Sequence, residues 1–133
     1  MLTITLSTTR RTEFLDITRE VQEALTRSGV KDGLVFVYVP HTTAGVTINE
    51  GADPSVVEDI LGILNRLIPI NGDYRHLEGN SAAHIKASLT GSSLLVAVER
   101  GKLVLGTWQA IFFCEFDGPR TRKVLVKVLA GSA

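Results

Sequence analysis

The histidines of this chain are its first candidates for chemistry. There are three among 133 residues, and all of them, His41, His76 and His84, fall between positions 41 and 84. Three neutral imidazoles suit a zinc-like ion, with water in the open fourth position of a catalytic site. Without a metal, one imidazole can act as a general acid or base, since its unperturbed pKa is about 6.5. We expect the three to converge on one polar cavity; scattered surface or core histidines are the alternative.

Two polar segments lie close to the first histidine. In the first, Thr42 and Thr43 follow His41 and precede Gly45, which permits close backbone approach. Hydroxyls and an imidazole beside such a glycine suit a small polar or phosphorylated ligand, and the alternative is a plain turn. In the second segment, Asn49 and Glu50 precede a helix start, so the Glu50 carboxylate is a candidate metal ligand or base.

A carboxylate also interrupts the most aromatic part of the chain, residues 105–120. On a strand, Glu115 alternates with aromatic residues and would be buried, which costs several kcal/mol unless the charge is paired. The partners available across the next turn are Arg120 and Arg122, so a structural ion pair is the alternative to a catalytic role. Cys114, on the opposite face with no basic neighbour, is expected to be a core thiol.

Hydrophobic periodicity predicts three helices that frame these residues. The first covers 17–28, with Asp16 or Thr18 able to cap it and Gly29 to end it. The second begins at the capping Asp53 and ends before Pro69. A third runs from 81 to 89, is capped by Asn80 and carries His84 in its second turn.

Alternating and continuous apolar runs predict the strands. They cover residues 2–6, 34–39, 44–48, 94–98, 103–116 and 124–129. We expect strands 34–39 and 44–48 to be neighbours in the sheet. Helices early and hairpins late predict an α+β class with a mixed or antiparallel sheet, in one domain over residues 1–133.

The composition excludes several classes of protein. Lys plus Arg number 14 and Asp plus Glu number 14, and this zero net charge argues against a nucleic-acid or anionic-membrane partner. No apolar run approaches the roughly 20 residues of a membrane span. The single cysteine cannot form an internal disulfide, so we expect a cytoplasmic protein.

Several blocks of the sequence, in order between Thr3 and Val128, resemble the YjbQ-like family. The most specific are Leu-Gly-Thr-Trp-Gln at 105–109 and Glu-Phe-Asp-Gly-Pro-Arg at 115–120. The other blocks are His41-Thr42-Thr43-Ala44, Ile48-Asn49-Glu50, Gly79-Asn80, Ala83-His84-Ile85-Lys86, Gly91 and Gly101. The resemblance implies a compact α+β domain with a mixed, barrel-like sheet, a homotrimer and the activity of a secondary thiamine-phosphate synthase.

The implied reaction joins a pyrimidine methyl diphosphate to a thiazole phosphate and releases diphosphate. It needs cations at the leaving group, such as a divalent ion (zinc or magnesium) with Lys or Arg, and a pocket that excludes water. The catalytic candidates are then His41, Glu50, His84 and Glu115. The substrate-binding candidates are Thr42, Thr43, Asn49, Asn80, Lys86, Gln109, Asp117 and Arg120, and the metal candidates are His41, His76 and His84.

Two other functions use the same residues. A metal-dependent hydrolase would activate water with the histidines. A non-catalytic binder of a small phosphorylated ligand would leave Glu115 purely structural. The sequence alone does not separate these functions from the transferase.

Overall fold

The computed structural model describes residues 1–132 and confirms the α+β class. Three helices and eight strands follow in chain order. They are β1 (Leu2–Ser7), β2 (Glu13–Asp16), α1 (Thr18–Ser28), β3 (Gly33–Tyr38), β4 (Ala44–Glu50), α2 (Pro54–Leu67), α3 (Ser81–Thr90), β5 (Ser93–Glu99), β6 (Lys102–Leu103), β7 (Gln109–Glu115) and β8 (Thr121–Ala130).

The strands form two sheets whose pairs are all antiparallel and which curl into a half-barrel. The larger sheet has the order β1-β8-β3-β5-β6, and the smaller has the order β2-β7-β4. The main core lies between the sheets and includes the apolar face of α1, with Val21 and Leu25 fully buried. The outer side of the smaller sheet is covered by α2 and α3. The site residues therefore lie on elements packed against both sides of the smaller sheet.

Side chains of β7 point alternately to the two faces of the smaller sheet. Ile111 and Phe113 face the main core, whereas Phe112 and Cys114 face the helices on the other side. The predicted burial of Cys114 is confirmed, and burial raises the pKa of its thiol. A protonated, inaccessible thiol has little nucleophilic reactivity.

The helix boundaries follow the predicted capping signals closely. Gly29 ends α1 with a φ of 73°, as predicted. The N-cap position of α1 is Ile17, which makes no side-chain cap hydrogen bond, and Asp16 just before it accepts from the Thr18 amide at 2.9 Å. Asp53 accepts from the Ser55 amide at 3.0 Å, at the start of α2. Asn80 occupies the predicted N-cap position of α3, but its side chain makes no cap hydrogen bond and donates to Asp117 instead. Of the helices described, none combines the length and apolar character that crossing a bilayer requires.

Three strand predictions need correction. Strands β3 and β4 are not neighbours, because the loop between them carries the chain from the larger sheet to the smaller. The predicted strand 103–116 is two strands, since residues 104–108 form an irregular connection. Strand β2, which pairs with β7, was not predicted, because four residues are too few to show a pattern.

One glycine sets the distance between α3 and the smaller sheet. A Cβ at Gly45 would lie 2.2 Å from Thr90 Oγ1 and 2.6 Å from the Gly91 carbonyl oxygen. The Val46 amide then donates to that carbonyl at 3.1 Å. This close approach brings the α3 residues next to the loop that carries His41.

A buried ion pair joins β7 to β8. Glu115 is 0% exposed and Arg122 is 2% exposed. Arg122 Nε donates to Glu115 Oε1 at 2.9 Å, and its Nη2 makes a second, very short bond to Oε2. Thr8 Oγ1 donates to Oε1 at 2.7 Å, and the Asp117 amide donates to Oε2 at 3.1 Å. Of the two predicted partners of Glu115, the fold uses Arg122.

The ion pair contributes stability above acidic pH. Burial alone would raise the pKa of Glu115, but hydrogen bonds from Arg122, Thr8 and the Asp117 amide outweigh it and hold the pKa below its ordinary value. The folded state therefore takes up this proton less readily than the unfolded state. The stabilisation is complete above the pKa of Glu115 in the unfolded chain and is lost as the pH falls through the lower pKa of the folded state.

We expect Glu115→Gln to lower the free energy of unfolding by about 3–5 kcal/mol, because it leaves a buried guanidinium without its charge partner. Urea unfolding at one fixed protein concentration measures this. Glu99→Gln, at an exposed position on β5, is the matched control and should change the value by less than about 0.5 kcal/mol. The double variant with Arg122→Met should recover part of the loss. An unchanged unfolding midpoint in Glu115→Gln would refute the structural role.

Candidate functional site

The loop between β3 and β4 is hydrogen-bonded to Arg122 of the buried ion pair. Arg122 Nη2 donates to Thr43 Oγ1 at 2.9 Å and to the Thr43 carbonyl oxygen at 3.3 Å. Thr43 is only 5% exposed, so its hydroxyl fixes the loop and is not available at the surface. His41 and Thr42, directly before it, are left at the surface of the same loop.

His41 is fixed by the backbone of β8. Its Nε2 accepts a hydrogen bond from the Lys123 amide at 3.0 Å. Since a neutral imidazole has one acceptor nitrogen and one donor nitrogen, the ring proton lies on Nδ1. Burial lowers the pKa of His41, and the nearby Arg122 guanidinium lowers it further. Both effects favour the neutral ring that the Lys123 bond requires.

His84 lies opposite this loop on α3. It lines a hollow of about 510 Å³ together with His41. We call this the histidine hollow, and its lining residues are His41, Thr42, Ala44, His84, Ala87, Ser88, Gly91 and Ser92. Of the three histidines predicted to share one cavity, His41 and His84 line the same hollow, whereas His76 does not line it.

His76 approaches the same region from the other side of His84. The two rings pack edge to face with centroids 5.3 Å apart, and both line a neighbouring hollow with Tyr74. His76 is exposed and lies 3.8 Å from Glu78 through its Nε2. Within residues 1–132, no three His, Cys, Asp or Glu side chains are grouped so that they could hold a metal ion.

Lys86 lies on the opposite side of α3 from His84. Two residues of a helix separate them by about 200° around its axis. Lys86 lines a cavity of about 330 Å³ with Asn80, Arg11 and Asn65. We call this the lysine cavity. Sequence reasoning missed Arg11, which carries no local signal, and Asn65. The signal for Asn65 was available, because it continues the i, i+4 row of Val57 and Leu61 as a polar residue.

Asp117 and Arg120 do not line the lysine cavity, but Asp117 contacts two residues that do, Asn80 and Arg11. Arg120 Nη2 donates to Asp117 Oδ2 at 2.9 Å, and Asn80 Nδ2 donates to the same oxygen at 3.0 Å. Arg11 Nη1 lies 3.5 Å from Asp117 Oδ1. Three predicted substrate-binding residues, Asn80, Asp117 and Arg120, thus form one polar network.

The remaining predicted residues, Asn49, Glu50 and Gln109, line a fourth and smaller hollow of about 260 Å³ beside Trp108. Each is bonded to nearby backbone. Asn49 accepts from the Glu50 amide at 2.7 Å, Glu50 accepts from the Ala52 amide at 2.9 Å, and Gln109 accepts from the Gly106 amide at 2.7 Å. Trp108 is 65% exposed, because it belongs to the irregular connection and not to the predicted strand. The ligand roles of Asn49, Glu50 and Gln109 stay predictions.

Glu115 has no access to a ligand in this arrangement. Its side chain is fully buried and both oxygens accept hydrogen bonds from Arg122 and other donors. Its influence on the site passes through Arg122, whose backbone neighbour Lys123 holds His41. The geometry gives Glu115 a positioning part in place of the predicted catalytic one.

The chain is similar to known proteins over nearly its whole length. The family model described as UPF0047 protein YjbQ-like matches residues 2–131. A UPF0047 protein of Methanocaldococcus jannaschii, MJ1081, is 56% identical over 124 residues, which are 93% of this chain and 90% of that protein. The UPF0047 protein YugU of Bacillus subtilis is 52% identical over 128 residues, with coverage of 96% and 97%.

Solved structures give the same relationship. The crystal structure of an uncharacterised conserved protein of the YjbQ/UPF0047 family from Clostridium acetobutylicum is 56% identical and superposes with a TM-score of 0.96, covering 97% of this chain and 100% of that one. The conserved hypothetical protein TT1486 from Thermus thermophilus is 48% identical with a TM-score of 0.90, with coverage of 97% and 100%. By family model, sequence identity and backbone geometry, this chain belongs to the YjbQ-like UPF0047 family.

Proposed function

We propose that this protein is an enzyme that acts on a small phosphorylated substrate in the histidine hollow. The observation that carries the proposal is the composition of that hollow, where two imidazoles and the hydroxyls of Thr42, Ser88 and Ser92 line one space. No carboxylate lines it within the part of the chain that the structure describes. Hydrogen-bond donors without a nearby acid favour an anionic ligand.

The two imidazoles would have different tasks. His41 has its acceptor nitrogen occupied by the Lys123 amide, so it would donate from Nδ1 to a substrate oxygen. His84 has no such backbone restraint among the described hydrogen bonds, so it would act as the general acid or base.

For the reaction itself, we propose the transfer that the family resemblance implies. The bond between the pyrimidine methylene carbon and the diphosphate oxygen breaks, and the electron pair leaves with diphosphate. The thiazole nitrogen then forms the new bond to that carbon. Donors aimed at the departing oxygens would stabilise the developing charge. A hydrolase of phosphate esters and a non-catalytic binder are the alternatives, and all three fit a cytoplasmic protein.

We propose separately that a divalent ion, zinc or magnesium, binds at the histidines. The described residues of one protomer do not supply a full set of ligands for it. His41 could ligate a metal only by giving up the Lys123 hydrogen bond or its Nδ1 proton. His76 and His84 supply two adjacent rings, and further ligands would come from substrate phosphate or a second protomer. The mechanism above therefore uses no metal step.

We also propose that the protein is a homotrimer. The accessible surface is 7897 Å², whereas a monomer of 14.4 kDa exposes about 6,800 Å². The outer face of the larger sheet is unusually apolar, with Leu34 41%, Leu95 58% and Leu129 45% exposed. Helix α2 has no fully buried residue despite its apolar stripe. Both surfaces would be better covered in an assembly.

His84→Ala should lower turnover by at least about 100-fold if His84 is the acid or base. The assay mixes the pyrimidine methyl diphosphate with thiazole phosphate and follows thiamine phosphate, with circular dichroism checking the fold and metal content measured on each sample. Arg27→Ala, at an exposed position on α1 away from the histidine hollow, is the control and should keep its activity. Phosphate release without the thiazole acceptor would identify the hydrolase, and binding without turnover would identify the binder.

His41 should be found as the neutral ring protonated on Nδ1 at pH 6.5, the ordinary pKa of histidine. Its lowered pKa means that its contribution to stability is present above the unfolded pKa and is lost as the pH falls through the folded pKa. Long-range ¹H–¹⁵N NMR distinguishes the two tautomers and the charged ring. A charged ring at that pH, or a proton on Nε2, would contradict the assigned role.

Light scattering on the purified protein should give three times the monomer mass at micromolar concentration. Leu95→Lys places a charge in the apolar sheet face and should shift the mass to that of the monomer. Thr26→Lys, at an exposed position on α1, is the control and should stay assembled. A monomeric wild type would end the trimer proposal, and an assembled Leu95→Lys would move the interface elsewhere.

A further inference from the structure

Lys86 is a buried cation with an incomplete set of partners. Lys86 is only 4% exposed. Its Nζ nevertheless makes a single hydrogen bond, a donation to Asn65 Oδ1 at 2.7 Å. Within residues 1–132, no carboxylate oxygen forms an ion pair with it. Buried lysines are rarely found without a counter-charge. An ammonium group can donate three hydrogen bonds, so two are open.

The cavity beside Lys86 has a positive lining. Arg11 lines it together with Lys86, and no Asp or Glu is among its lining residues in the described chain. The nearby Arg11 affects the titration of Lys86, because burial lowers the pKa of Lys86 and the charge of Arg11 lowers it further. Asp117, next to the cavity, is bonded to Arg120 and Asn80 and lies 3.5 Å from Arg11 Nη1 through its other oxygen. Two cations therefore border a partly enclosed space of about 330 Å³, and of the two only Arg11 has a carboxylate partner among the described residues.

The first turn of α3 borders the same space. Asn80, Ala82 and Ala83 contribute to the lining, and the helix start has no side-chain cap. The positive end of the helix dipole thus adds to the charges of Lys86 and Arg11. Asn80 also leaves its Oδ1 buried without a donor among the described residues, which a hydroxyl or P–OH group of a ligand would satisfy.

We propose that the lysine cavity is a binding site for a phosphate group, held by the Lys86 ammonium and the Arg11 guanidinium. Phosphate is the oxyanion that suits this lining, because it accepts several charge-assisted hydrogen bonds and can still present a P–OH donor. The site is separate from the histidine hollow, since Lys86 and His84 lie on opposite sides of α3. Its occupant neutralises a charge that the protein itself leaves unpaired.

Titration with inorganic phosphate tests the site, followed by calorimetry and by the side-chain amide NMR signals of Asn65 and Asn80. We expect saturable binding and movement of both amide signals in the wild type. Arg11→Met should weaken binding by about tenfold or more, since it removes one charged donor. Arg27→Met, at an exposed arginine on α1, is the matched control and should bind as the wild type does.

Lys86→Met should abolish the binding and, without phosphate, should unfold at a temperature no lower than that of the wild type. If this variant does not fold, the Arg11→Met and Arg27→Met pair decides the question alone. Methyl phosphate separates the two sources of the ligand, because binding of both probes indicates a phosphorylated metabolite and binding of phosphate alone indicates the free ion. Unmoved amide signals at millimolar phosphate, or equal affinity in Arg11→Met and wild type, would overturn the proposal.

His84→Ala keeps this test apart from the proposed enzymatic function. It should leave the phosphate-induced shifts of the Asn65 and Asn80 amides unchanged while it removes turnover. Loss of those shifts in His84→Ala would join the two sites and refute their separation.

Discussion

Glu115 and Arg122 meet in a region with no access to water, and several distant parts of the chain are arranged around their charges. The carboxylate ties β7 to Thr8 after β1, while the guanidinium binds Thr43 in the loop between the two sheets. A buried charge is tolerated only when its hydrogen bonds are complete. The position of the loop that carries His41 therefore depends on hydrogen bonds from this buried ion pair.

Helix α3 divides the remaining chemistry into two sides. Gly45 lets its C-terminal end contact β4 directly, which places His84 opposite the His41 loop. The residue two positions later, Lys86, faces the other way and enters a cavity with Arg11. One short helix thus separates a hollow lined by imidazoles and hydroxyls from a cavity lined by two cations. This separation places the predicted residues His84 and Lys86 in two different sites.

The predicted elements were most accurate where the physical cause is local. Caps and terminators such as Asp53, Pro69 and Gly29 act within one helical turn, and the apolar stripe of each helix is visible over its own length. Predictions failed where the partner lies far away in sequence. The Asn80 amide bonds to Asp117, 37 positions later, and β2 is a strand only because β7 pairs with it.

The sequence by itself determined the α+β class, the three helices, the burial of Cys114 and Glu115, and the family. These follow from periodicity, from the cost of exposing apolar groups, and from ordered blocks of residues. Only the tertiary structure decided that Glu115 pairs with Arg122, that His41 bonds to the Lys123 amide, and that Lys86 shares a cavity with Arg11. Those contacts join residues 7, 82 and 75 positions apart, and charge and hydrogen bonding act through space, which a linear pattern does not record.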